Sequence, residues 1–357
     1  MNIWMTLKKA LDLYPAKTAV IDGDRAYTYQ QVGERVTGLA RFFQNRGIRP
    51  EDRISILEVN SHAFLETYYA AAGIGAILNP LNYRLAAKEI AYILNDAGSR
   101  WLIAATRFAD VVKGAIQAGV PLEGILWIGE ETDESLPIRC HNYEDAVGNT
   151  VEDFEPAPVD ENRTAHLYYT SGTTGRPKGV MLTHKNVCSH ALGAIAELRL
   201  VDTDAWAHVA PMFHLADAWA TFAITWVGGR HVMVGQFEAE AVMAIIEKQK
   251  ITLSNLIPTM LNLMIKHPRV TKYDFSSLRE ILSGGAPIAP ELVRSIMETL
   301  GCDYIQTYGM TETSPYLTFS ILKDHLKALP PDEQLKFKSK TGRPAIGVDL
   351  KVVDENG

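Results

Sequence analysis

Cysteine is scarce in this sequence. Three cysteines, Cys140, Cys188 and Cys302, are scattered over 357 residues. Their spacing forms no Cys-x-x-Cys pair and no zinc-binding pattern, so neither a disulfide scaffold nor a structural zinc module is indicated. A few isolated thiols are typical of a reduced environment, and we expect a cytoplasmic protein.

Long apolar runs are missing as well. The first residues, from Met1 to Lys9, lack the apolar core of a secretory signal peptide. No run approaches the roughly 20 apolar residues that a membrane-spanning helix requires. The sequence therefore predicts no transmembrane segment, although peripheral contact with a membrane stays compatible with it.

Positive charge is in the minority. There are 35 Lys and Arg residues against 42 Asp and Glu residues, which gives a net charge of −7. A general nucleic-acid-binding protein carries a basic surface stripe, so the composition argues against nucleic acid as a partner. Small anionic ligands remain compatible with an acidic protein, because local backbone amides can bind them.

Strand and helix patterns alternate along the chain. A turn at Asp22–Asp24 separates two short strand patterns, and Thr28 with Gln31 forms a capping box at the start of a helix that ends near Gly47. This alternation predicts a parallel α/β sheet with helices on both faces. Later strands are predicted at 53–57, 75–78, 101–104, 165–169, 251–257, 278–282 and 303–307, and later helices at 61–72 and 86–95.

Two polar stretches interrupt the alternation. Residues 130–162 are acidic and contain prolines, and residues 324–340 are polar and rich in lysine, so we interpret both as connections, the second one mobile. We therefore predict a first α/β subdomain over 1–162, a second over 163–325, and a linker with the start of a small β-subdomain over 326–357. A last strand is expected at 349–353. The chain stops at a turn after it, and we expect it to be cut there.

The most distinctive segment is the loop Thr170–Gly179, which reads Thr-Ser-Gly-Thr-Thr-Gly-Arg-Pro-Lys-Gly. Glycines let the backbone approach phosphate, hydroxyls donate to its oxygens, and Lys178 adds a positive charge. A Walker A loop needs four residues between its first Gly and the Gly-Lys pair, whereas Gly172 and Gly175 are three apart and Pro177 precedes the lysine. The loop predicts a phosphate cradle of another kind, and a flexible surface linker is the alternative.

A second run of functional side chains, Gln306–Thr313, follows a predicted strand. Tyr308 can stack on a base, Thr311 can donate to a phosphate, and Glu312 is an oxygen ligand suited to Mg²⁺. The sequence contains no Gly-x-Ser-x-Gly elbow, no His-Glu-x-x-His motif and no dinucleotide-binding glycine fingerprint. The simplest hydrolase and metalloprotease functions are thereby removed.

Residues Tyr169–Val180 resemble the AMP-binding motif of the adenylate-forming superfamily, and among its members the fatty-acyl-CoA synthetases most of all. Further segments are similar to family motifs and occur in the family's order: Leu78–Asn82, Pro211–His214, Ser283–Pro287, Gln306–Thr313 and Gly342–Pro344. The resemblance covers essentially the whole chain. It implies two α/β subdomains packed as a layered αβαβα large domain.

The resemblance also implies residue roles. Catalytic roles fall on Lys178, His214, Thr311 and Glu312, and Mg²⁺ is expected near Thr170 and Glu312. Phe213, His214 and Trp219 are expected at the substrate, with Trp219 as a gate of an acyl tunnel; a tryptophan in the core is the alternative. Nucleotide contacts are expected from Thr170, Ser171, Gly172, Thr173, Thr174, Gly175, Lys178, Gly285, Ala286, Pro287, Gln306, Thr307, Tyr308, Gly309, Met310 and Thr311.

The reaction implied is that of a two-step acid–thiol ligase. A carboxylate attacks the α-phosphorus of ATP to give acyl-AMP and pyrophosphate, and coenzyme A then displaces AMP. ATP, Mg²⁺, coenzyme A and a small carboxylic acid are thus the expected partners, and a homodimer is compatible with the resemblance. A non-catalytic nucleotide-binding member of the family is the alternative from another class.

The residues around His214 narrow the choice of the carboxylic acid substrate. Amino-acid-activating members usually carry an aspartate at that place, so a peptide-synthetase module is disfavoured. A medium- or long-chain fatty acid is favoured, and an aryl or alicyclic acid is the alternative. The expected lining is apolar and aromatic: Phe213, Leu215, Trp219, Phe222 and Trp226.

Some parts of the family pattern are not in this sequence. Members continue into an aspartate that holds the ribose hydroxyls, then a hinge, then a small C-terminal domain with the lysine used for adenylation. We therefore expect this chain to bind ATP or AMP weakly and to form acyl-CoA slowly.

Overall fold

Two β-sheets organise the chain. The computed structural model describes residues 1–129, 136–148, 154–171 and 175–355. In chain order, the strands in them are β1 (Thr18–Asp22), β2 (Arg25–Thr28), β3 (Arg53–Leu57), β4 (Ile77–Pro80), β5 (Ser99–Ala105), β6 (Gly124–Ile128), β7 (Arg139–Asn142), β8 (Thr164–Thr170), β9 (Lys178–Thr183), β10 (Ala205–His208), β11 (Arg230–Met233), β12 (Leu253–Asn255), β13 (Glu280–Ser283), β14 (Asp303–Gly309), β15 (Tyr316–Phe319) and β16 (Arg343–Pro344).

Helices connect most of these strands. They are α1 (Trp4–Leu13), α2 (Tyr29–Asn45), α3 (His62–Ile74), α4 (Ala87–Ala97), α5 (Ala109–Gln117), α6 (Tyr143–Val147), α7 (His184–Leu198), α8 (Leu215–Val227), α9 (Ala239–Gln249), α10 (Pro258–Ile265), α11 (Pro290–Leu300), α12 (Asp324–Lys327) and α13 (Pro331–Lys338). The predicted capping box starts α2: the Thr28 side chain accepts from the backbone N–H of Gln31, whose side chain accepts from the Thr28 N–H.

Both sheets are mostly parallel. Among the described strands, one sheet has the order β7-β6-β5-β3-β4-β8-β9 and the other the order β16-β15-β14-β13-β12-β10-β11-β1-β2. Antiparallel pairs occur at the sheet edges, where β9 pairs with β8, β2 with β1, and β15 with β14 and β16. We call them the seven-stranded and the nine-stranded sheet.

The sheets and helices alternate in five layers. Helices α1, α2, α3, α7 and α8 contribute to one large apolar core that also contains residues of both sheets. A second core lies under α9, α10, α11 and α13, and a third under α4 and α5. This arrangement confirms the predicted layered αβαβα architecture, because the helices that border these cores bury apolar side chains against the sheets.

Sheet membership does not follow the predicted division at residue 162. The N-terminal hairpin β1–β2 joins the nine-stranded sheet, since β1 lies parallel to β11. Conversely, β8 and β9, which flank the Thr/Ser/Gly loop, extend the seven-stranded sheet beside β4. The chain therefore crosses between the sheets twice, once more than a single cut implies, and the subdomain bounds stay a prediction.

Three predicted segments differ from the structure. The connection at 130–162 includes β7 and α6; its residues 130–135 and 149–153 lie outside the described part. The segment 324–340, expected to be a mobile connection, contains α12 and α13, and α13 buries Leu335 and Lys338. In the described residues, no strand forms at 349–353, since no neighbouring strand pairs with that backbone.

Across the described ranges, every helix is too short or too polar to cross a membrane.

Candidate active site

The candidate site lies where strands of the two sheets end next to each other. A cavity of about 740 Å³ is lined from one side by the end of β8 and the start of β9, and from the other by the turn after β14. Its lining residues are Thr170, Ser171, Lys178, Gly179, Val180, Met310, Thr311 and Glu312. Ligands of α/β folds bind at such carboxyl ends of strands.

The Thr/Ser/Gly loop is held at its two ends by antiparallel pairing. Thr170 lies opposite Lys178 in the β8–β9 ladder, and Gly175 adopts a φ of +82° that favours glycine. The Tyr92 hydroxyl donates to the Pro177 carbonyl at 3.3 Å, which ties the loop to α4. Lys178 is exposed at the cavity. The predicted phosphate contacts Gly172, Thr173 and Thr174 lie outside the described residues.

The run from Gln306 to Glu312 divides into buried and exposed parts. Gln306 and Thr307 are buried: the Gln306 amide donates to the Ala286 carbonyl at 2.9 Å, and the Thr307 hydroxyl donates to the Ser283 carbonyl at 3.1 Å. Beyond them, Tyr308 and Met310 are 44% and 46% exposed. Gln306 and Thr307 therefore hold the turn that follows β13, and the residues from Tyr308 onward face the space in which a nucleotide is expected.

The turn Gly284–Pro287 packs directly on the end of β14. A β-carbon at Gly284 would collide with the Thr307 hydroxyl, so this close approach requires glycine. Gly285, Ala286 and Pro287 are exposed next to it. The predicted nucleotide contacts Gly285, Ala286 and Pro287 are thus brought next to the end of β14.

His214 lies between two cavities. A cavity of about 510 Å³ connects it with Thr170, Ser171 and Thr311, and another of about 250 Å³ connects it with Gly284, Gly309 and Thr311. Desolvation by the surrounding protein and, second, the nearby guanidinium of Arg84 lower the pKa of His214 to about 4, although the residue is exposed at the cavities. The imidazole is therefore neutral at physiological pH and can both donate and accept a hydrogen bond.

The loop that carries His214 is braced by two residues of the first third of the chain. The Asn60 side chain donates to the carbonyls of His208 and Ala210, both at 2.8 Å, and accepts from the Met212 N–H at 2.7 Å. The Tyr68 hydroxyl donates to the Met212 carbonyl at 2.9 Å. Sequence reasoning missed both residues. The available signal was a polar side chain just beyond a buried parallel strand, where functional groups concentrate.

A buried polar chain anchors the helix that begins after His214. The Asp217 carboxylate in the first turn of α8 lies 2.5 Å from Nδ1 of His208, and Nε2 of His208 lies 2.9 Å from Nδ1 of His231. Nε2 of His231 lies 2.9 Å from the Thr225 hydroxyl in the last part of α8. All four side chains are buried, so α8 is fixed to β10 and β11 at both ends.

Trp219 occupies a buried cluster behind the smaller cavity. Its ring packs 5.0 Å from Trp206 and 5.7 Å from Tyr316, measured between centroids, and it is 2% exposed. Tyr316, which sequence reasoning did not single out, lines the cavity wall in front of it. Of the other expected lining residues, Phe213 and Leu215 border a cavity, whereas Phe222 packs on His166 in the core between the sheets.

The predicted metal ligands Thr170 and Glu312 line the same 740 Å³ cavity. In the ranges that the structure describes, no group of three or more His, Cys, Asp or Glu side chains is arranged to hold a metal ion. One carboxylate and one hydroxyl fit the usual mode of Mg²⁺, which takes one or two protein carboxylates and completes its shell with phosphates and water.

A sequence profile of AMP-binding enzymes matches residues 7–357. This chain belongs to the AMP-binding enzyme family. The chain is 33% identical to a long-chain-fatty-acid–CoA ligase of Thermus thermophilus, with all of this chain and 66% of the relative covered. It is 34% identical to a feruloyl-CoA synthase of an Amycolatopsis species, over 84% of this chain and 57% of the relative.

Solved structures of the AMP-binding enzyme family also share the fold. The crystal structure of the anthranilate CoA ligase AuaEII in complex with anthranoyl-AMP superposes with a TM-score of 0.91 at 25% identity, covering all of this chain and 67% of that one. The chain thus spans about two-thirds, or less, of the length of these relatives. The resemblance inferred from the motifs and the α/β fold class are confirmed, while the roles of single residues stay predictions.

Proposed function

We propose that this chain is the part of an acid–thiol ligase that binds ATP and a carboxylic acid and joins them as acyl-AMP. The proposal is supported by one observation: residues from both sheets line the same cavity. Lys178 and Thr170 from one sheet line a cavity together with Thr311 and Glu312 from the other. His214 adjoins it through the cavity that it shares with Thr170 and Thr311.

Adenylation joins two anions, so the protein has to neutralise charge and hold the reactants in line. In this proposal Lys178 and the hydroxyls of Thr170 and Ser171 bind the β- and γ-phosphates, and Thr311 binds the α-phosphate. Neutral His214 orients the carboxylate without adding a competing charge. Mg²⁺ held by Glu312 and Thr170 would offset the negative charge of the phosphates when bound. Tyr308 and the turn at Gly285–Pro287 receive the adenine.

The thiol acceptor in this proposal is coenzyme A, and the expected location is cytoplasmic. The names of the relatives support a CoA ligase but cover both fatty and aromatic acids. The apolar lining beside His214 supports an uncharged acyl group of either kind, whether a fatty acid or an aryl acid.

A single-turnover assay tests the proposal. The chain is mixed with a smaller amount of ATP, with Mg²⁺ and with each acid of a panel of fatty and aryl acids. Acyl-AMP is then quantified by mass spectrometry. We expect acid-dependent acyl-AMP, and a loss of about a hundredfold or more in Lys178→Ala and Glu312→Gln, because each removes charge stabilisation at the phosphates.

Lys185→Ala is the matched control, since Lys185 is exposed on α7 outside the lining of the cavities described above. Equal losses in Lys178→Ala and Lys185→Ala would contradict the assigned phosphate site. Tight AMP binding without acyl-AMP from any acid would favour the non-catalytic alternative.

A further inference from the structure

Two cavities share one lining residue, and that residue is aromatic. The cavity of about 250 Å³ beside His214 is bounded by Tyr316, and so is a cavity of about 450 Å³ between α7 and the segment 345–348. The second cavity is lined mainly by small and apolar residues, among them Leu192, Gly193, Ala194, Phe319, Ile346 and Val348. Tyr316 therefore borders both the space nearest the expected carboxylate and a larger apolar groove.

Tyr316 is held firmly in this position. Its hydroxyl donates to the Ala216 carbonyl in the first turn of α8 at 2.8 Å, and its backbone N–H donates to Nε2 of His190 at 3.3 Å. Its ring packs against Trp219 at 5.7 Å and Phe319 at 5.6 Å between centroids. Contacts on several sides and burial leave the ring little freedom to swing away.

The Ala216 carbonyl reinforces the wall. Besides the Tyr316 hydroxyl it accepts the Asn255 amide at 2.8 Å and the Trp219 indole N–H at 3.0 Å. Three donors from three elements thus converge on one backbone oxygen. Displacing Tyr316 would remove one donor from this set and disturb the start of the helix that follows His214.

We propose that Tyr316 sets the upper size limit of the acyl group and restricts the site to compact acids. The inference rests on the proposed function, because it takes the acyl group to extend from His214 into the smaller cavity. The cavity on the His214 side of Tyr316, about 250 Å³, is smaller than the groove of about 450 Å³ that Tyr316 also borders. In this proposal a six-carbon ring or a short alkyl chain fits in front of Tyr316, whereas a twelve-carbon chain meets its ring.

The same geometry assigns the groove behind Tyr316 as latent space for a longer chain. Removing the phenol ring joins it to the smaller cavity, and the groove is apolar enough to accept methylene groups. The neighbouring His190 adds no charge there, because burial lowers its pKa to about 3. Tyr316 is therefore a specificity-determining residue.

Non-hydrolysable acyl-sulfamoyl adenosines test this inference by calorimetry. The ligand series (the ladder of acyl sizes) consists of AMP and the hexanoyl, benzoyl and dodecanoyl compounds. The wild-type chain should bind the hexanoyl and benzoyl compounds about tenfold or more tightly than the dodecanoyl compound, since each methylene that does not fit costs at least that factor. Tyr316→Ala should improve the affinity for the dodecanoyl compound about tenfold or more.

Tyr316→Phe keeps the ring and should keep the preference for compact acyl groups. Tyr273→Ala, at a tyrosine on the far face of the nine-stranded sheet, controls for loss of a phenol as such. Where Tyr316→Ala does not fold, Tyr316→Leu replaces it. Equal affinity of the wild type for the hexanoyl and dodecanoyl compounds, or an unchanged ladder in the folded variant, overturns the inference. Failure of all four ligands to bind rejects the proposed function instead.

Discussion

Asn60 is a single buried side chain that fixes the backbone of the loop leading to His214. Its amide group donates to the carbonyls of His208 and Ala210, and its carbonyl oxygen accepts from the Met212 N–H. Asn60 belongs to the loop after β3, whereas its partners lie at the end of β10 and just after it, in the other sheet. The position of His214 therefore depends on a contact between the layers as well as on its own strand.

Asn60→Ala should lower both stability and acyl-AMP formation. It leaves the Met212 N–H and two carbonyls without their partner, and one such buried group costs about 1–3 kcal/mol. We expect at least that decrease in the free energy of unfolding, measured with urea. Asn95→Ala is the matched control, because Asn95 also bonds to two carbonyls but is exposed. Equal effects of the two substitutions would contradict a specific role of Asn60 in holding the loop that leads to His214.

Tyr316 and Trp219 illustrate which site residues a sequence can reveal. Loop residues such as Lys178 and Glu312 are recognisable because phosphate and Mg²⁺ chemistry demands particular side chains in a short run. A pocket wall has no such signature. Both aromatic residues follow His214 in the chain, and only the packing of α8 against β15 places Tyr316 at the wall and Trp219 behind it. Asn60 escaped notice for the same reason.

At the scale of elements, α13 shows how a polar segment becomes ordered. Its composition is dominated by charged residues, yet Leu335 is buried in the core beneath α11. Lys338 is also buried and forms an ion pair with Asp303 at the start of β14, and Arg294 on α11 pairs with Asp332 at 2.7 Å. One apolar anchor and flanking ion pairs are enough to dock two turns of helix.

Leu335→Ala should detach α13 from the sheet. Truncating a buried leucine costs about 2–5 kcal/mol, which exceeds what the partly exposed ion pairs contribute. Amide hydrogen exchange followed by mass spectrometry should then show fast exchange over 331–338, while β13 and β14 stay protected. The exposed Lys336→Ala serves as the control and should leave the exchange unchanged. Persistent protection in Leu335→Ala would mean that the ion pairs alone hold the helix.

Local patterns predicted several elements, but not which strands become neighbours in a sheet. The strand at 53–57 and the hairpin at 18–28 agree with the structure within a residue or two, because alternation, capping and turn chemistry act over short distances. Sheet order depends on pairing between segments far apart, so the place of β1 next to β11 was not readable from the sequence. Burial of Leu335 within a polar run is likewise a tertiary effect.

At the scale of the whole molecule, two kinds of buried histidine affect the pH dependence of stability in opposite ways. Burial lowers the pKa of His166 to about 3, of His184 to about 4 and of His190 to about 3, and it lowers that of His231 well below 6.5. His62 behaves differently. Burial disfavours its charge, but the hydrogen bond to Asp22 and the nearby carboxylates outweigh this and raise its pKa to about 9.

Stability should therefore be greatest near pH 6.5 and fall on both sides. Below pH 6.5 the unfolded chain takes up protons that these four histidines and His214 do not bind in the folded protein, which costs about 1.4 kcal/mol per pH unit for each proton. Burial raises the pKa of Glu58 to about 7, which acts in the opposite direction but involves one proton against five. Above pH 6.5 the His62 contribution, of order 3 kcal/mol, is lost as pH rises through 9.

Urea unfolding at pH 5 to 9 measures this profile. His62→Gln should flatten the alkaline side and leave the acidic side unchanged, whereas the exposed His325→Gln should alter neither. A free energy of unfolding that stays constant over this range would contradict the assignment of neutral buried histidines and a charged His62.

The pairing of β1 with β11 has a consequence for how the protein is made. Val20 lies opposite His231, more than 200 residues later in the chain. At roughly 5–20 residues per second, a ribosome needs about 10–40 s to synthesise that stretch. During this time the first hairpin has no sheet to join, and its apolar strand stays open to chaperones or to other nascent chains. The first strand made therefore waits for its parallel partner until β11 has been synthesised.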